Sequence, residues 1–395
     1  MKKRFPLPAA LALILFASAL TCLIIASTLG RELGFFTDRF GAVREYAALL
    51  AKIDEHYIGE YDVKDVSAAA NSAAVDALGD RWSFYLTPEE YVRYMDSTSN
   101  RFTGIGIIAS IDEASGGMLV QSVYKGSAAE TGGLVAGDVI TGIDGVGITG
   151  LEFDEMRSML SRPIGDAAEL RVLRGDGGEL TLSVVYSVVF TDPVSYETLD
   201  GNIGYIKLEN FETGSAKSFI AAMEELSDQG VAAFIFDVRG NGGGKVTEMT
   251  RILDYLLPEG EIFIAVDRSG REEVTLSDAS MVDIPCAVLV NRYSFSAAEY
   301  FSATLMEYGY AVVVGEQTTG KDRSQITVTL PGGGALHISS AKFLTRNRVS
   351  LYDAGGLTPD HQIALTDDEF TLLVTGNLSK EDDPQLRFAA GFLTG

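Results

Sequence analysis

The hydrophobic positions of this chain repeat at different intervals in different regions. Residues 43–57 and 63–78 carry apolar side chains at helical spacing. The stretch TPEE at 87–90 is a typical helix start, with threonine as N-cap, proline at the first position and glutamate at the third. We therefore predict a helical segment over residues 31–100.

Short strands replace these helices after residue 100. Apolar runs at 118–123, 170–173 and 180–185 are bounded by glycine and Asp-Gly turns, and a single helix is predicted over 152–160. This succession of short elements predicts a small, mostly β domain over residues 101–190.

Strands and helices alternate over residues 191–375. The predicted strands lie at 203–208, 232–238, 287–290 and 311–314, and the predicted helices at 216–226, 246–257 and 296–306. Unbroken apolar strands that alternate with helices predict an α/β layer with a mostly parallel sheet buried on both faces. Sites on such sheets lie at the carboxyl ends of the strands. Residues 376–395 are left as a C-terminal tail segment.

Residues 1–30 combine a basic start with a long apolar run. Lys2, Lys3 and Arg4 precede residues 7–29, which are almost wholly apolar and long enough to span a hydrocarbon layer of about 30 Å. A cleaved signal peptide usually has a shorter apolar region, of about 7–15 residues. We expect a single-pass membrane helix with its cations in the cytoplasm and the rest of the chain outside it. The alternative is cleavage and secretion.

The composition narrows the range of functions. The chain has 395 residues, 46% of them hydrophobic, which excludes a largely disordered protein. Its formal net charge is −24, and because so acidic a protein repels phosphate backbones, we expect no nucleic-acid partner. The two cysteines and three histidines show no metal-ligand spacing, so we expect no metal site.

A glycine-rich turn follows the predicted strand at 232–238. The sequence RGNGGG occupies residues 239–244, directly before a predicted helix. Glycines at such a place let the backbone approach a ligand closely and leave N–H groups facing a negative charge. The turn is therefore a candidate oxyanion or phosphate cradle. The alternative is a tight turn without a binding role.

Ser296 begins a predicted helix just after another strand end. A serine at this position commonly caps the helix through its side chain. The position also suits a nucleophile, because the helix dipole and the N–H of Ala297 would stabilise a developing oxyanion. This segment alone leaves both interpretations open.

A third strand end carries the sequence GEQTTGK at 315–321, which matches the phosphate-binding P-loop pattern. Two features disfavour nucleotide binding. Asp322 stands where a P-loop has its magnesium-binding hydroxyl, and residues 325–330 alternate like a strand where a P-loop begins a helix.

A serine nucleophile needs a base. His337 and His361 are the histidine candidates, and neither lies in a diagnostic motif. A lysine can serve when burial lowers its pKa toward neutrality, because desolvation disfavours the charged form. Ser296 with Lys321 is therefore the best nucleophile–base pair that these residues offer.

Together these stretches resemble those of the C-terminal processing peptidases, also called tail-specific proteases, which are PDZ-containing serine peptidases with a Ser–Lys dyad. The resemblance covers about residues 40–390. It rests on RGNGGG at 239–244, SAAE at 296–299 and GKDRSQ at 320–325, in family order. The site that it implies comprises Ser296 as nucleophile, Lys321 as general base, Gln325 orienting the lysine, and the amides of Gly243 (or Gly242) and Ala297 as oxyanion donors.

The middle domain resembles a PDZ domain. The sequence FTGIGI at 102–107 matches the PDZ carboxylate-binding loop. The resemblance implies that Gly104, Ile105, Gly106 and Ile107 bind the C-terminus of a protein or peptide substrate. An adjacent strand edge would accept the peptide as an added strand.

The resemblance implies a serine endopeptidase of the bacterial plasma membrane that processes extracytoplasmic proteins without a cofactor. It is also in keeping with a homodimer or a regulatory partner protein. Phe295 and Tyr300 are bulkier than the family's usual residues beside the nucleophile, and Asp322 is placed where it could hold Lys321 charged. These departures support a second hypothesis, a catalytically weak or inactive PDZ scaffold that retains the peptidase fold.

Overall fold

The computed structural model describes residues 40–175 and 178–395. The predicted membrane helix and its basic start, residues 1–30, lie outside the described residues. Within the described ranges, no helix is both long and apolar enough to cross a membrane. The described residues divide into two compact units between Ala70 and Asn71.

The first elements follow the predicted helical pattern. They are α1 (40–56), α2 (Val63–Asp76), β1 (Phe84–Leu86) and α3 (Pro88–Ser97). Thr87 caps α3, because its hydroxyl accepts a hydrogen bond from the N–H of Glu90 at 3.3 Å. The Glu90 carboxylate accepts in return from the N–H of Thr87 at 2.9 Å. The predicted helix start is confirmed.

The region predicted to be mostly β contains an antiparallel sheet. Its strands are β2 (Arg101–Gly104), β3 (Ile107–Ile111), β4 (Met118–Val123), β5 (Val139–Ile143), β6 (Val146–Gly147), β7 (Ala167–Arg174), β8 (Gly178–Val185) and β9 (Ser187–Phe190). Its helices are α4 (Ala128–Thr131) and α5 (Phe153–Met159). The sheet has the order β3-β4-β5-β7-β8 with β6 beside β5, while β2 pairs with β9. Strand β7 alternates exposed and buried side chains, and its buried Leu170 and Val172 pack with Val120 and Ile140 in the core.

The remaining elements form the α/β region. Its strands are β10 (Val194–Leu199), β11 (Ile203–Leu208), β12 (Ala233–Asp237), β13 (Gly260–Asp267), β14 (Glu272–Ser277), β15 (Cys286–Val290), β16 (Ala311–Gly315), β17 (Arg323–Thr329), β18 (Ala335–Leu344) and β19 (His361–Gln362). Its helices are α6 (Ser215–Asp228), α7 (Val246–Leu256), α8 (Ala297–Glu307), α9 (Asp367–Val374) and α10 (Pro384–Thr394).

The central sheet of this region has the order β10-β11-β12-β15-β16-β19. β10 runs antiparallel to β11, and the other neighbouring strands run parallel. Every residue of β12 and β15 is buried, as unbroken apolar strands require. Helices α6, α7 and α8 contribute Phe219, Met249 and Phe301 to the core of one face. Leu386 and Ala389 of α10 pack with the other face, so the segment predicted as a C-terminal tail ends in a helix of the core.

A second sheet lies beside the first and was not predicted. Its order is β1-β18-β13-β14 with β17 beside β18, and all its pairs are antiparallel. Strand β17 confirms the strand predicted after Lys321. Because a P-loop would begin a helix there, the structure removes the nucleotide-binding interpretation.

Candidate active site

The three candidate strand ends meet at one edge of the central sheet. The glycine-rich turn follows β12, the turn before Ser296 follows β15, and Lys321 lies between β16 and β17. One cavity of about 510 Å³ is lined by Ser296, Lys321 and Gln325, together with Gly242 and Gly244 of the turn. The structure therefore brings the nucleophile, base and glutamine candidates together, as expected of the carboxyl ends of parallel strands.

The backbone of Ser296 distinguishes the two interpretations of this serine. Ser296 is the N-cap residue of α8, with φ 57° and ψ −125°. The N-cap hydroxyl residues of α3, α4 and α9 have φ between −61° and −78°, and each side chain accepts a hydrogen bond from the third helical N–H. A positive φ costs a residue with a Cβ about 1–3 kcal/mol and is concentrated at functional sites. The conformation of Ser296 favours a nucleophile over an ordinary cap.

Glu299 connects Ser296, the candidate nucleophile, to the loop that carries Lys321. Its carboxylate is fully buried and accepts hydrogen bonds from the N–H of Ser296 at 2.8 Å and the N–H of Lys321 at 2.9 Å. It also accepts from the N–H of Gly320 at 2.6 Å and from the Thr318 hydroxyl at 2.5 Å. Burial raises the pKa of Glu299 while these four donors oppose the rise. One side chain thus fixes two loops from different strand ends.

Lys321 lies under two aromatic rings. Its Nζ is 4.3 Å from the ring centroid of Trp82 and 5.9 Å from that of Phe295. Burial lowers the pKa of Lys321 to about 8, although the Asp80 and Glu299 carboxylates favour the charged form. A substantial fraction of the amine is therefore neutral near pH 8 and can accept a proton.

Asp322 and Tyr300, two of the unusual residues near the candidate pair, form hydrogen bonds with residues outside that pair. The Asp322 carboxylate is buried and accepts a hydrogen bond from the Ser350 hydroxyl at 2.8 Å, so this carboxylate is engaged elsewhere than at Lys321. Tyr300 lies in the core and donates its hydroxyl proton to the carbonyl oxygen of Phe343 at 2.9 Å.

Gln325 shares the cavity with Lys321, but its side-chain amide is held by its own strand, β17, and by the neighbouring β18. Its Nε2 donates to the carbonyl oxygen of Arg323 at 3.0 Å and to the Ser339 hydroxyl at 3.2 Å. Among the described residues, none donates to its Oε1. The orienting role of Gln325 toward the lysine stays a prediction, and Oε1 is the atom that would perform it.

The two oxyanion candidates meet beside Ser296, but only one has a free amide. Gly243 has φ 91°, and a Cβ there would lie 2.8 Å from the Cβ of Ser296 and 3.0 Å from the nitrogen of Ala297. The N–H of Gly243 donates to Oδ1 of Asn241 at 2.8 Å, so it is not a free donor in this conformation. The N–H of Ala297 has no acceptor among the described residues. Gly242, the alternative donor, lines the cavity.

The two histidine alternatives lie in different places. His337 lines the same cavity as Ser296, stacks on Phe84 with ring centroids 4.6 Å apart, and bonds the Thr327 hydroxyl through Nδ1 at 2.9 Å. Burial lowers its pKa to about 4, which makes it a poor proton acceptor at neutral pH. His361 packs against Phe388 of α10, away from this cavity. Lysine remains the better base.

The predicted peptide-binding residues line one groove of the β-rich domain. Gly104, Ile105, Gly106 and Ile107 border a cavity of about 570 Å³ between β3 and α5. Gly106 has φ 85°, and a Cβ there would come within 2.3 Å of the Cβ of Ser127, so only glycine fits. In the described sheet, β3 pairs with β4 alone, which leaves an edge on which a peptide strand could pair.

Comparisons with known proteins give matches to two family models. Residues 202–363 match the family model described as Peptidase family S41, and residues 94–173 match that of the PDZ domain. Residues 202–363 of this chain therefore belong to peptidase family S41. The predicted resemblance to C-terminal processing peptidases is confirmed.

Curated relatives of this S41 chain are similar over about three quarters of its length. Carboxy-terminal processing protease CtpA of Bacillus subtilis (strain 168) is 28% identical over 306 residues, which are 77% of this chain and 65% of that protein. The chloroplastic Carboxyl-terminal-processing peptidase 2 of Arabidopsis thaliana is 32% identical over 304 residues, which are 73% of this chain and 59% of that protein. The chain thus spans less than two thirds of the length of these two relatives.

A solved structure supports the fold of the S41 chain. The crystal structure of a Bacteroides fragilis protein assigned to the S41 proteases superimposes with a TM-score of 0.55 at 18% identity. The superposition covers 86% of this chain and 91% of that one. At this identity the likeness concerns the fold alone.

Two residues of the site were missed by the sequence analysis. Glu299 stands three residues after Ser296, and this spacing is the signal of a capping glutamate, from which its bond to the Ser296 N–H follows. Trp82 has no such signal, because nothing in its local sequence indicates that it lies beside Lys321.

Proposed function

We propose that this protein is a serine endopeptidase in which Ser296 is the nucleophile and Lys321 the general base. The observation that carries the proposal is the shared cavity, in which a strained serine at the start of α8 accompanies a largely buried lysine. Burial lowers the pKa of that lysine to about 8, which suits a base that works near neutral pH. Family membership supports the same class of chemistry.

The reaction follows from these positions. The neutral Nζ of Lys321 accepts the proton of Ser296 Oγ while Oγ bonds to the carbonyl carbon of the scissile peptide. The lysine then gives this proton to the leaving amine nitrogen as the C–N bond breaks, and an ester on Ser296 remains. Lys321 next takes a proton from water, which attacks the ester, and the proton returns to Oγ as the new carboxyl terminus leaves.

The oxyanion needs donors while the carbonyl oxygen carries charge. The free N–H of Ala297, in the first turn of α8, is one donor and is reinforced by the helix dipole. Gly243 becomes the second donor when its N–H breaks its hydrogen bond to Asn241 and donates to the oxyanion instead. The described conformation is then a resting form of the site, and substrate completes it.

The PDZ groove selects the substrate by its C-terminus in this proposal. Backbone N–H groups of the 104–107 loop would receive the terminal carboxylate, and the free edge of β3 would pair with the last residues of the chain. Ile107, Met118 and Phe153 line the groove with apolar surface. The preferred substrates are therefore proteins with an accessible, apolar C-terminal residue, cut upstream of that end.

The location of the enzyme is proposed from the sequence of residues 1–30. A basic start followed by about 23 apolar residues matches a helix that anchors the chain in a bacterial plasma membrane. The acidic remainder of the chain would then lie outside the cytoplasm, where it meets extracytoplasmic proteins. A homodimer or a regulatory partner stays a prediction of the family resemblance.

Cleavage by matched variants tests the proposed dyad. The full-length chain is incubated with an unfolded protein that ends in an apolar residue, and products are followed by mass spectrometry. Wild type is expected to cut, while Ser296→Ala and Lys321→Met are expected to lose cleavage by several orders of magnitude. Ser302→Ala in the same helix and Lys217→Met on the surface of α6 are the controls and should cut normally. Wild-type turnover in either dyad variant would show that the assignment is wrong.

A binding-only scaffold is the second candidate, and one observation favours it. The bond from the Gly243 N–H to Asn241 leaves the described oxyanion site with a donor missing. A scaffold would bind C-terminal peptides in the groove and release them intact. Binding of such a peptide by wild type, with no product after prolonged incubation, is the result that would support it.

A further inference from the structure

Trp82 lies in the candidate site but has no role in the reaction proposed above. It is the only tryptophan of the chain and lies between α2 and β1. Its ring centroid is 4.3 Å from Nζ of Lys321 and 5.8 Å from the ring centroid of Phe295. We call these two rings the aromatic cap. Phe295 adjoins Ser296 in sequence, and its ring centroid lies 5.9 Å from Nζ of Lys321.

The position of Trp82 is fixed by bonds on both sides of it. The Asp80 carboxylate accepts from the N–H of Trp82 at 3.2 Å and from the Ser83 hydroxyl at 2.6 Å. The Ser83 hydroxyl in turn accepts from the N–H of Ser339 in β18 at 3.0 Å. Directly after Ser83, β1 pairs with β18. The tryptophan is therefore held by the second sheet, close to the strand that follows the lysine.

We propose that Trp82 is a positioning residue for Lys321, and that with Phe295 it excludes water from the lysine amine and so keeps the amine able to accept a proton. The inference rests on the proposed function, because it assigns a task to the base of that reaction. It adds a residue outside the sequence motifs by which the dyad was found.

Some groups around Lys321 favour its charged form and others disfavour it. The Asp80 and Glu299 carboxylates favour the ammonium form, and so does the face of the tryptophan ring. Arg81 disfavours it, and His337 stays neutral at working pH because its own pKa is lowered to about 4. Despite the two carboxylates, the pKa of Lys321 falls to about 8, with burial as the largest cause. Burial of the amine therefore outweighs the attraction of the two carboxylates.

Two variants of Trp82 separate the attraction of the ring for the ammonium group from its exclusion of water. Trp82→Ala removes both the ring and the cover, so water reaches the amine and its pKa should rise toward the ordinary value for lysine. Trp82→Leu keeps an apolar cover and removes the ring face, so the pKa should stay at the wild-type value or fall. Phe84→Ala is the matched control, because Phe84 lies in the same segment but stacks on His337.

Chemical labelling measures the amine without any substrate. The full-length chain and its variants are pulse-labelled with acetic anhydride from pH 6 to 11, and the acetylated Lys321 peptide is quantified by mass spectrometry. The midpoint of labelling against pH reports the pKa, whereas the extent reports access. Wild type, Trp82→Leu and Phe84→Ala should have midpoints near pH 8 or below, and Trp82→Ala should be higher by about one unit.

The outcomes separate this inference from the proposed function. A wild-type midpoint in Trp82→Ala, or an equal rise in Trp82→Leu and Trp82→Ala, would overturn the role of the cap. If Trp82→Ala fails to fold by circular dichroism, the folded Trp82→Leu and wild-type proteins are compared with Trp82→Ser, which also admits water. Failure of wild type to cleave protein, with these midpoints as expected, would contradict the proposed function alone.

Discussion

At the scale of residues, the site depends on departures from ordinary geometry and ordinary solvation. Among the hydroxyl N-caps of the described helices, Ser296 alone has a positive φ, and burial lowers the pKa of Lys321. Both are held by Glu299, whose single carboxylate accepts from each backbone. The sequence could indicate the serine and the lysine because motifs surround them. It could not indicate Trp82, because contact between distant segments leaves no local pattern.

The lowered pKa of Lys321 predicts the pH dependence of activity. Only the neutral amine accepts the proton of Ser296, and its fraction rises as pH increases through about 8. We therefore expect kcat/KM for a peptide substrate to rise with pH and to level off above about 9. The profile from pH 6 to 10 measures this, with stability checked at each pH. An inflection near pH 6.5, the ordinary value for histidine, would instead indicate a histidine base.

Loss of the Glu299 carboxylate should damage both stability and activity. Glu299→Gln replaces one acceptor oxygen with an amide that cannot accept, so at least one of four donors is left buried and unpaired. We expect the free energy of unfolding to fall by about 1–3 kcal/mol. We expect kcat to fall by about 10²-fold, because the two loops lose their relative position. Urea denaturation and initial rates measure these effects, and Glu89→Gln on the surface of α3 should change neither.

At the scale of elements, strands buried on both faces were the easiest to predict. Strand β15 is wholly apolar, β12 is apolar up to its last residue, Asp237, and both strands are wholly buried. The second sheet was missed because β14 and β17 are partly exposed, and because β18 pairs with β13 and β1, which are distant from it in sequence. The sequence indicated that the backbone of the glycine-rich turn can approach a ligand closely, but it could not indicate the conformation of the turn. The bond from Gly243 to Asn241 is a property of the folded turn.

A side chain at Gly243 should block the site. Gly243→Ala would place a Cβ 2.8 Å from that of Ser296 and 2.9 Å from the carbonyl oxygen of Phe295. We expect kcat/KM to fall by at least about 10²-fold, the size of a lost oxyanion donor. Gly270→Ala is the control, because Gly270 also has a positive φ, 83°, but a Cβ there meets open space. Both variants carry the backbone strain, so equal activity in the two would contradict the proposed contact.

At the scale of the whole molecule, a peptidase region and a PDZ domain occur in one chain. Both could be predicted, because each carries short motifs whose backbone geometry constrains the residue type, such as Gly106 in the groove. What sequence could not supply was the state of the candidate site, in which burial lowers the pKa of Lys321 and the N–H of Gly243 donates to Asn241. Binding in the groove and cleavage in the cavity are proposed as separate functions, and mutations can test each of them separately.

Neighbouring residues on the two faces of β3 allow peptide binding in the groove to be tested by itself. Ile107 lines the groove, whereas the adjacent Ile108 is exposed and does not. Ile107→Asp places a carboxylate where the substrate's terminal carboxylate binds, so the affinity for a C-terminal peptide should fall by about tenfold or more. Ile108→Asp should bind as wild type does. Fluorescence anisotropy with a labelled peptide in the Ser296→Ala background gives both affinities, and equal losses would place the peptide elsewhere.

The central claim is that Ser296 forms an ester with the substrate while Lys321 removes its proton. The most direct measurement is a rapid acid quench of the full-length protein with a peptide p-nitrophenyl ester, followed by mass spectrometry of the peptide that contains Ser296. We predict the added acyl mass on Ser296 in wild type, its absence in Ser296→Ala, and much slower formation in Lys321→Met. An acyl group on another residue, or equal rates in wild type and Lys321→Met, would contradict the account.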